Sequence, residues 1–386
     1  MFIENNISTD ISSLLFKNHY FKDLSIQEII EQIEAKKRCE RKLKTWYNCN
    51  NIYYPNKLNI EQTSSEITAK YKTTIVNGNS IIDLSGGFGV DCFYFSKTIK
   101  NVTHCEINKN LSKIAEHNFK QLGAHNITTI ANDGIEYLNN SSNKFDCVYI
   151  DPSRRDDHKG KVFLLSDCKP NITKHLDEIF TKTSKILIKT SPLLDITNII
   201  NELNFVKEIH IIAVKNEVKE LLILLEKNYI DLVSVKTNNI INKKEDKFSF
   251  CIENRKRDAT YSFPKKYLYE PNAAILKSGG FNHISTLFKI NKLHQHSHLY
   301  TSDIIIEFPG RIFNIIETLP YNKKDLRKRF KNSKINVSTR NFPKTVDLLR
   351  NELKLLNGGE LYLIFTTNID NKKIAILCEK IINVNS

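Results

Sequence analysis

The sequence predicts an α/β protein: an open, largely parallel sheet with helices on both faces, a helical segment before it and a smaller α+β domain after it. Three observations carry this. Between about residues 80 and 215, short apolar runs alternate with amphipathic helical patterns, the arrangement of successive βαβ units. A glycine cluster, Gly86, Gly87 and Gly89, follows the first of these runs, and acids close the first four. Charge also changes along the chain. Residues 1–60 hold 9 Lys/Arg against 7 Asp/Glu, residues 61–254 hold 25 of each, and residues 255–386 hold 23 against 11.

The first part reads as helical. In "SIQEIIEQIEAKKRCERKLKTWY", Ile26, Ile29, Ile30, Ile33 and Ala35 fall at near-helical spacing, with Ser25 as N-cap ahead of Glu28. The stretch "YYPNKLNIEQTSSEITAKYK" connects to a further helix starting near Ser64 or Ser65. In the middle, strands are expected at Ile81–Leu84, Val102–Glu106, Ile127–Ala131, Cys147–Ile150, Ile186–Lys189, Ile209–Val214 and Phe248–Ile252. Helices fit at Asp91–Ser96, Asn108–Leu122, Ile172–Thr181 and Ile196–Leu203. The last third reads as strands with one helix at Thr345–Leu355, ended by Gly358-Gly359. The expected division is a helical segment at 1–60, an α/β domain at 61–254, a small ferredoxin-like connecting subdomain at 255–298 and a final domain at 299–386.

Composition excludes some classes. At 40% apolar and 26% charged, the 386 residues suit a globular protein with a sizeable core. No apolar run approaches the roughly 18 residues a membrane span needs. The N-terminus lacks a basic region followed by an apolar core, so no signal peptide is expected. The eight cysteines show neither CxxC nor zinc spacing, which fits a reducing cytoplasm. His294, His296 and His298 alternate and would share one face of a strand, but no fourth ligand is evident and no metal is expected. Oligomeric state is not legible.

The strand ends are the candidate site, because ligands of open α/β sheets bind at the carboxyl ends of the strands. "IIDLSGGFGVD" closes the first strand at Asp83, turns through Gly86, Gly87 and Gly89, and reaches Asp91 at a helix start. Glycines allow close backbone approach to a ligand. Glu106 ends the second strand, 17 residues past Gly89, where a carboxylate suits a ribose diol. Asp133 follows the third strand, placed to accept from an adenine amine. Asp151 follows the fourth, in "FDCVYIDPSRRDD".

This order of motifs resembles the class I S-adenosylmethionine-dependent methyltransferases over about residues 61–254. The resemblance implies that the turn at Gly86–Gly89 holds the methionine part of S-adenosylmethionine, that Glu106 takes the ribose and Asp133 the adenine, with Asp83, Asp91 and Asp151 lining the same crevice. A nucleotide of the NAD type fits less well: the third glycine of its fingerprint is missing, and Asp83 suits a cationic amino-acid ligand better than a pyrophosphate. Further motifs, among them "EQTSSEITAKYK", "LSDCKPN", "KTSPLLDI", "VKNEVKELL", "YLYEPNAAILKSG", "FPGRIF" and "RNFP", resemble a bacterial methyltransferase group with a C-terminal THUMP-like domain.

Many amine methyltransferases of this fold carry Asp/Asn-Pro-Pro and an aromatic ring. Here Asp151 and Pro152 stand, but Ser153 replaces the second proline and Arg154 the ring. Asp151, Pro152, Ser153 and Arg154 are the expected catalytic group, Asp151 orienting the acceptor. Carbon methylation through a cysteine adduct would need a nucleophilic cysteine near a later strand end; the stretch "ILIKTSPLLD" has none, and Cys168 is the only candidate nearby. A neutral middle joined to a basic end points to a polyanion partner. The run Lys323–Lys334, with Arg327 and Arg329, and then Arg340 and Lys344, forms the expected RNA-binding surface. The expected activity is methylation of an RNA base in tRNA or rRNA. The alternatives are a catalytically silent RNA-binding protein, or a methyltransferase acting on protein or a small molecule.

Overall fold

The computed structural model describes residues 2–9, 12, 25–154, 164–253 and 257–382. They fall into two compact units. The first comprises Met1–Ile209 and Lys219–Asp231; the second comprises His210–Val218 and Leu232–Ser386.

In the first unit a short helix, Phe2–Asn5, precedes the helix Ile26–Lys42. The N-terminus of the longer helix is closed by a capping box, Ser25 accepting from the Glu28 N–H while Glu28 reaches back to the Ser25 backbone. The helix at Glu66–Lys72 starts from Ser65, whose hydroxyl accepts from the Thr68 N–H. Then come strands β1 (Ser80–Asp83), β2 (Asn101–Cys105), β3 (Ile127–Ile130) and β4 (Cys147–Ile150). A two-stranded ribbon of β5 (Ser153–Arg154) and β6 (Cys168–Lys169) precedes β7 (Lys185–Thr190), β8 (Val206–Val214) and β9 (Glu217–Glu226). Within this unit the strand order is β3-β2-β1-β4-β7-β9. The first five are parallel, and β9 is antiparallel to β7. All four residues of β4 are buried, so helices cover both faces of the sheet there.

A charged cluster lies inside this unit. The Lys72 side chain is wholly buried. Its ammonium donates to Asp91 Oδ1 at 3.0 Å, Glu220 Oε2 at 3.0 Å and Ser64 Oγ at 2.9 Å. Asp91 Oδ2 accepts from Ser64 Oγ and from the Tyr149 hydroxyl, each at 2.8 Å. Burial pushes the Asp91 carboxyl upward, yet Lys72 and then Lys189 outweigh it and hold the group below its ordinary value. At Glu220 burial wins over the same two lysines and the carboxyl is raised. Beside this cluster Trp46, the single tryptophan, is fully buried with its ring 4.9 Å from Phe93.

The second unit contains β10 (Ser234–Ile241) and β11 (Lys244–Cys251), an antiparallel hairpin. Asn242 and Lys243 turn it with φ of 50° and 72°, as a two-residue hairpin loop with two left-handed positions requires. The remaining strands are β12 (Tyr267–Pro271), β13 (Asn291–Lys292), β14 (Tyr300–Ser302), β15 (Gly310–Pro320), β16 (Asn336–Thr339), β17 (Leu361–Thr367) and β18 (Lys373–Ile381). They form one sheet in the order β13-β14-β12-β15-β18-β17-β16. One core gathers Phe248, Tyr269, Tyr300 and Phe308; another gathers Leu326, Phe330, Leu349, Leu363 and Phe365.

By their contacts β10 and β11 group with the C-terminal elements, Phe248 joining the core of Tyr269 and Tyr300. Two expectations need correction. The Val346–Leu353 helix ends at Lys354 in the left-handed region, not at Gly358-Gly359. Gly359 instead lets the chain pass close to Lys334, whose carbonyl oxygen lies 2.3 Å from where a Cβ would stand. The alternating histidines are not on a strand, since His298 turns at φ 50°. His294 bonds Asn371 and Asn341, while His298 stacks on Phe281.

Replacing Lys72 by Met leaves two buried carboxylates without their ammonium. The expected loss is about 3–5 kcal/mol. Trp46 fluorescence during urea unfolding reads it, and an unchanged midpoint would contradict the role given to this lysine.

Candidate active site

The glycine turn joins β1 to the helix Val90–Phe95, and each glycine in it has a separate reason. A Cβ on Gly86 would stand 2.3 Å from His104 Nε2, and one on Gly89 would stand 2.4 Å from the Phe119 ring. Gly87, at φ 54°, meets nothing closer than the Ser85 carbonyl oxygen at 3.7 Å and faces open space. Its N–H donates to Glu106 Oε2 at 2.8 Å, and its carbonyl accepts from His104 Nε2 at 3.2 Å. Burial pushes His104 down to about 4, so the ring under the turn is neutral.

Glu106, at the end of β2, also accepts from the Asn108 N–H through Oε1 at 2.8 Å. Two backbone N–H groups thus fix both carboxylate oxygens, and each oxygen keeps a lone pair for a hydroxyl donor. Ile107 beside it is 69% exposed, an apolar surface next to a polar hook that sequence reading passed over. Asp133, after β3, caps the helix Gly134–Asn140 by accepting from the Glu136 N–H at 3.0 Å. Gly134 must be a glycine here, because a Cβ would meet the Leu84 carbonyl oxygen at 2.3 Å.

Asp83 is placed differently from its expected role. It is 2% exposed, and its carboxylate accepts from the Ser85 N–H and hydroxyl and from the Cys92 thiol. Burial raises it to about 7, against the Ser85 N–H, which lowers it. It shapes the turn from beneath. Asp91 is likewise corrected: its carboxylate is turned into the Lys72 cluster, where three donors occupy it.

Asp151 follows β4. Its N–H donates to Ser85 Oγ at 2.7 Å, which ties it to the glycine turn. Its Oδ2 makes an ion pair with Lys189 on the adjacent strand β7, and the side chains are 33% and 13% exposed. Burial works to lower Lys189, but Asp151, Glu220 and Asp91 overcome it and hold the ammonium above its usual value. Lys189 was missed because it stands at the end of an apolar run with no local partner. Lys42 is a second lysine on this side. It donates to the carbonyls of Ile60 and Glu61, each at 2.8 Å, and burial, then Lys189, pushes it to about 8.

Pro152 is buried and Ser153 exposed, its hydroxyl donating to the Lys169 carbonyl at 3.3 Å. The Arg154 side chain and the whole of Arg155 lie outside the described residues. Cys168 is buried in β6, a structural thiol and not an accessible nucleophile. Of the basic residues expected to meet RNA, three carry carboxylate partners. Arg329 pairs with Glu317, Arg340 with the buried Glu270 and Lys344 with Glu352. Arg327 is half-buried on the helix Lys323–Phe330.

Comparison with known proteins decides the family. A structure from Porphyromonas gingivalis W83, assigned to the methyltransferases, is 30% identical, covers 98% of this chain and 96% of its own, and superposes with a TM-score of 0.87. The chain belongs to that methyltransferase family. Residues 32–211 match the family described as conserved hypothetical protein 95. Residues 267–309 match a ferredoxin-like domain and residues 310–380 a THUMP domain-like family. The THUMP domain-like match begins at the first residue of β15. An uncharacterized RNA methyltransferase from Mycoplasma mobile (strain ATCC 43663 / 163K / NCTC 11711) is 29% identical over 175 residues, or 44% of this chain. The chain spans about half of that curated relative, 47% of its length.

The crevice residues fit S-adenosylmethionine. The open side of Gly87, the fixed Glu106 carboxylate, the apolar Ile107 and the free oxygen of Asp133 suit an amino acid, a diol, a flat ring and an amine in turn. Asp83 gives a pH signature. Its native pKa lies above that of the unfolded chain, so the native state binds the extra proton, and stability falls as pH rises from about 4 to about 7. Asp83→Asn should flatten that part of the profile relative to wild type, as read by urea midpoints from pH 4 to 8. Parallel profiles would contradict it.

Proposed function

We propose that the protein is an S-adenosylmethionine-dependent methyltransferase that modifies an RNA base, working in the cytoplasm. The observation that carries the reading is Glu106, fixed at the end of β2 by the Gly87 and Asn108 N–H groups beside an open glycine turn. S-adenosylmethionine, when bound, supplies an electrophilic methyl group on a sulfonium. Glu106 accepts from the ribose hydroxyls, and Asp133 accepts from the adenine amine with the oxygen its helix cap leaves over. Gly87 keeps the crevice open where a side chain would fill it. Asp151, held by Ser85, faces the acceptor base. Support for RNA comes from the THUMP-like part, from the basic last third and from the name of the Mycoplasma mobile relative. The exposed ion pair of Arg329 does not oppose this, since such pairs are worth about 0–1 kcal/mol and a phosphate can replace the carboxylate.

Calorimetry should show saturable binding of S-adenosylmethionine, lost in Gly87→Arg and weakened roughly tenfold or more in Glu106→Ala, a double hydrogen bond to a charged group being worth at least about 1.5 kcal/mol. Labelled methyl transfer to total RNA from a strain lacking the gene should vanish on RNase treatment. A label that survives RNase would move the substrate to protein or a small molecule, and absence of heat with the cofactor would end the reading.

A further inference from the structure

Asp151 and Lys189 stand side by side because β4 and β7 are parallel neighbours, with Ile150 opposite Ile188 and the next residue of each strand forming the pair. Both side chains keep some exposure, Asp151 more than Lys189. The strand ends therefore present an acceptor and a donor together. A lone carboxylate would suit an exocyclic amine, which offers only hydrogens. An ammonium next to it changes the match.

Two kinds of base edge offer a donor beside an acceptor. In adenine and cytosine the donor is the amine that would be methylated and the acceptor is a ring nitrogen. An ammonium donating to that ring nitrogen draws electron density from the amine and makes it a poorer nucleophile. In guanine and uracil the donor is a ring N–H and the acceptor is the neighbouring carbonyl. There the ammonium stabilises the charge that gathers on oxygen as the N–H proton departs. The pair hinders the first reaction and assists the second.

We propose that the acceptor is the lactam edge of a nucleobase, the ring nitrogen beside a carbonyl, with Asp151 accepting the N–H and Lys189 donating to the oxygen. This rests on the RNA methyltransferase reading above. Asp151 takes the ring proton as the nitrogen–methyl bond forms and the methyl–sulfur bond breaks. The bonding pair stays on sulfur, which leaves as a neutral thioether. Lys189 carries the oxygen's charge through the transfer, and Asp151 then releases its proton to water.

The test is to incubate the full-length protein with labelled S-adenosylmethionine and total RNA from a strain lacking the gene, digest the RNA and identify the labelled nucleoside by mass spectrometry. The expected products are 1-methylguanosine or 3-methyluridine. Label in N6-methyladenosine, N4-methylcytidine, N2-methylguanosine or a ring-carbon product overturns the proposal while leaving the RNA methyltransferase reading intact. No label in any RNA overturns both. Lys189→Met should lower kcat by about 100-fold, the loss typical of one oxyanion donor. Calorimetric affinity for S-adenosylmethionine should stay within about threefold, and Lys189→Arg should restore part of the rate. Full activity in Lys189→Met overturns the assignment. Should that variant fail to fold, the nucleoside formed by the wild type still decides.

Discussion

The active-site side of the first unit depends on one buried ammonium. Lys72 draws together the helix Glu66–Lys72, the helix behind the glycine turn through Asp91, and strand β9 through Glu220. Taking these charges out of water is costly, and the cost is offset only because each is paired and hydrogen-bonded. Tyr149 on β4 and Ser64 complete the shell. The start of the Val90–Phe95 helix is therefore held from below, and the turn in front of it keeps its shape without help from a ligand.

The site proper lies on the other side of that turn. Asp83 beneath it and Glu106 beside it bind backbone N–H groups of the turn. Ser85 then links the turn to Asp151. Three strand ends are thus coupled through two loop residues, Ser85 and Gly87. Asp151 is the point where this frame meets a second one, because its partner Lys189 also feels Glu220 and Asp91. The acceptor pair and the Lys72 cluster share one electrostatic neighbourhood, so a change at either should be felt at the other.

Much of this was legible in the chain. Period and β-branched content located the parallel strands to within a few residues, and the capping box at Ser25 and Glu28 was readable because both partners are three residues apart. Local patterns failed where a contact spans the sequence. Lys72 and Glu220 are 148 residues apart and nothing near either announces the other. Asp91 looked like a crevice acid because position along the chain does not say which way a helix's first turn faces. The hairpin turns at Lys215-Asn216 and Asn242-Lys243 carry positive φ without glycine, so the usual turn signal was absent.

The Asp-Pro motif shows most clearly what the fold adds. In sequence, Asp151-Pro152 is followed by Ser153 and Arg154, with no aromatic ring. In space it pairs with an ammonium from 38 residues away, across the β4–β7 pairing. A carboxylate that would otherwise seek hydrogens from an amine already holds an ammonium. Any acceptor must either displace that ammonium or use it. Displacement would strand a largely buried charge, the costlier course. Use requires an acceptor with both a hydrogen to give and an oxygen to receive one, which is the chemistry of the proposed lactam edge.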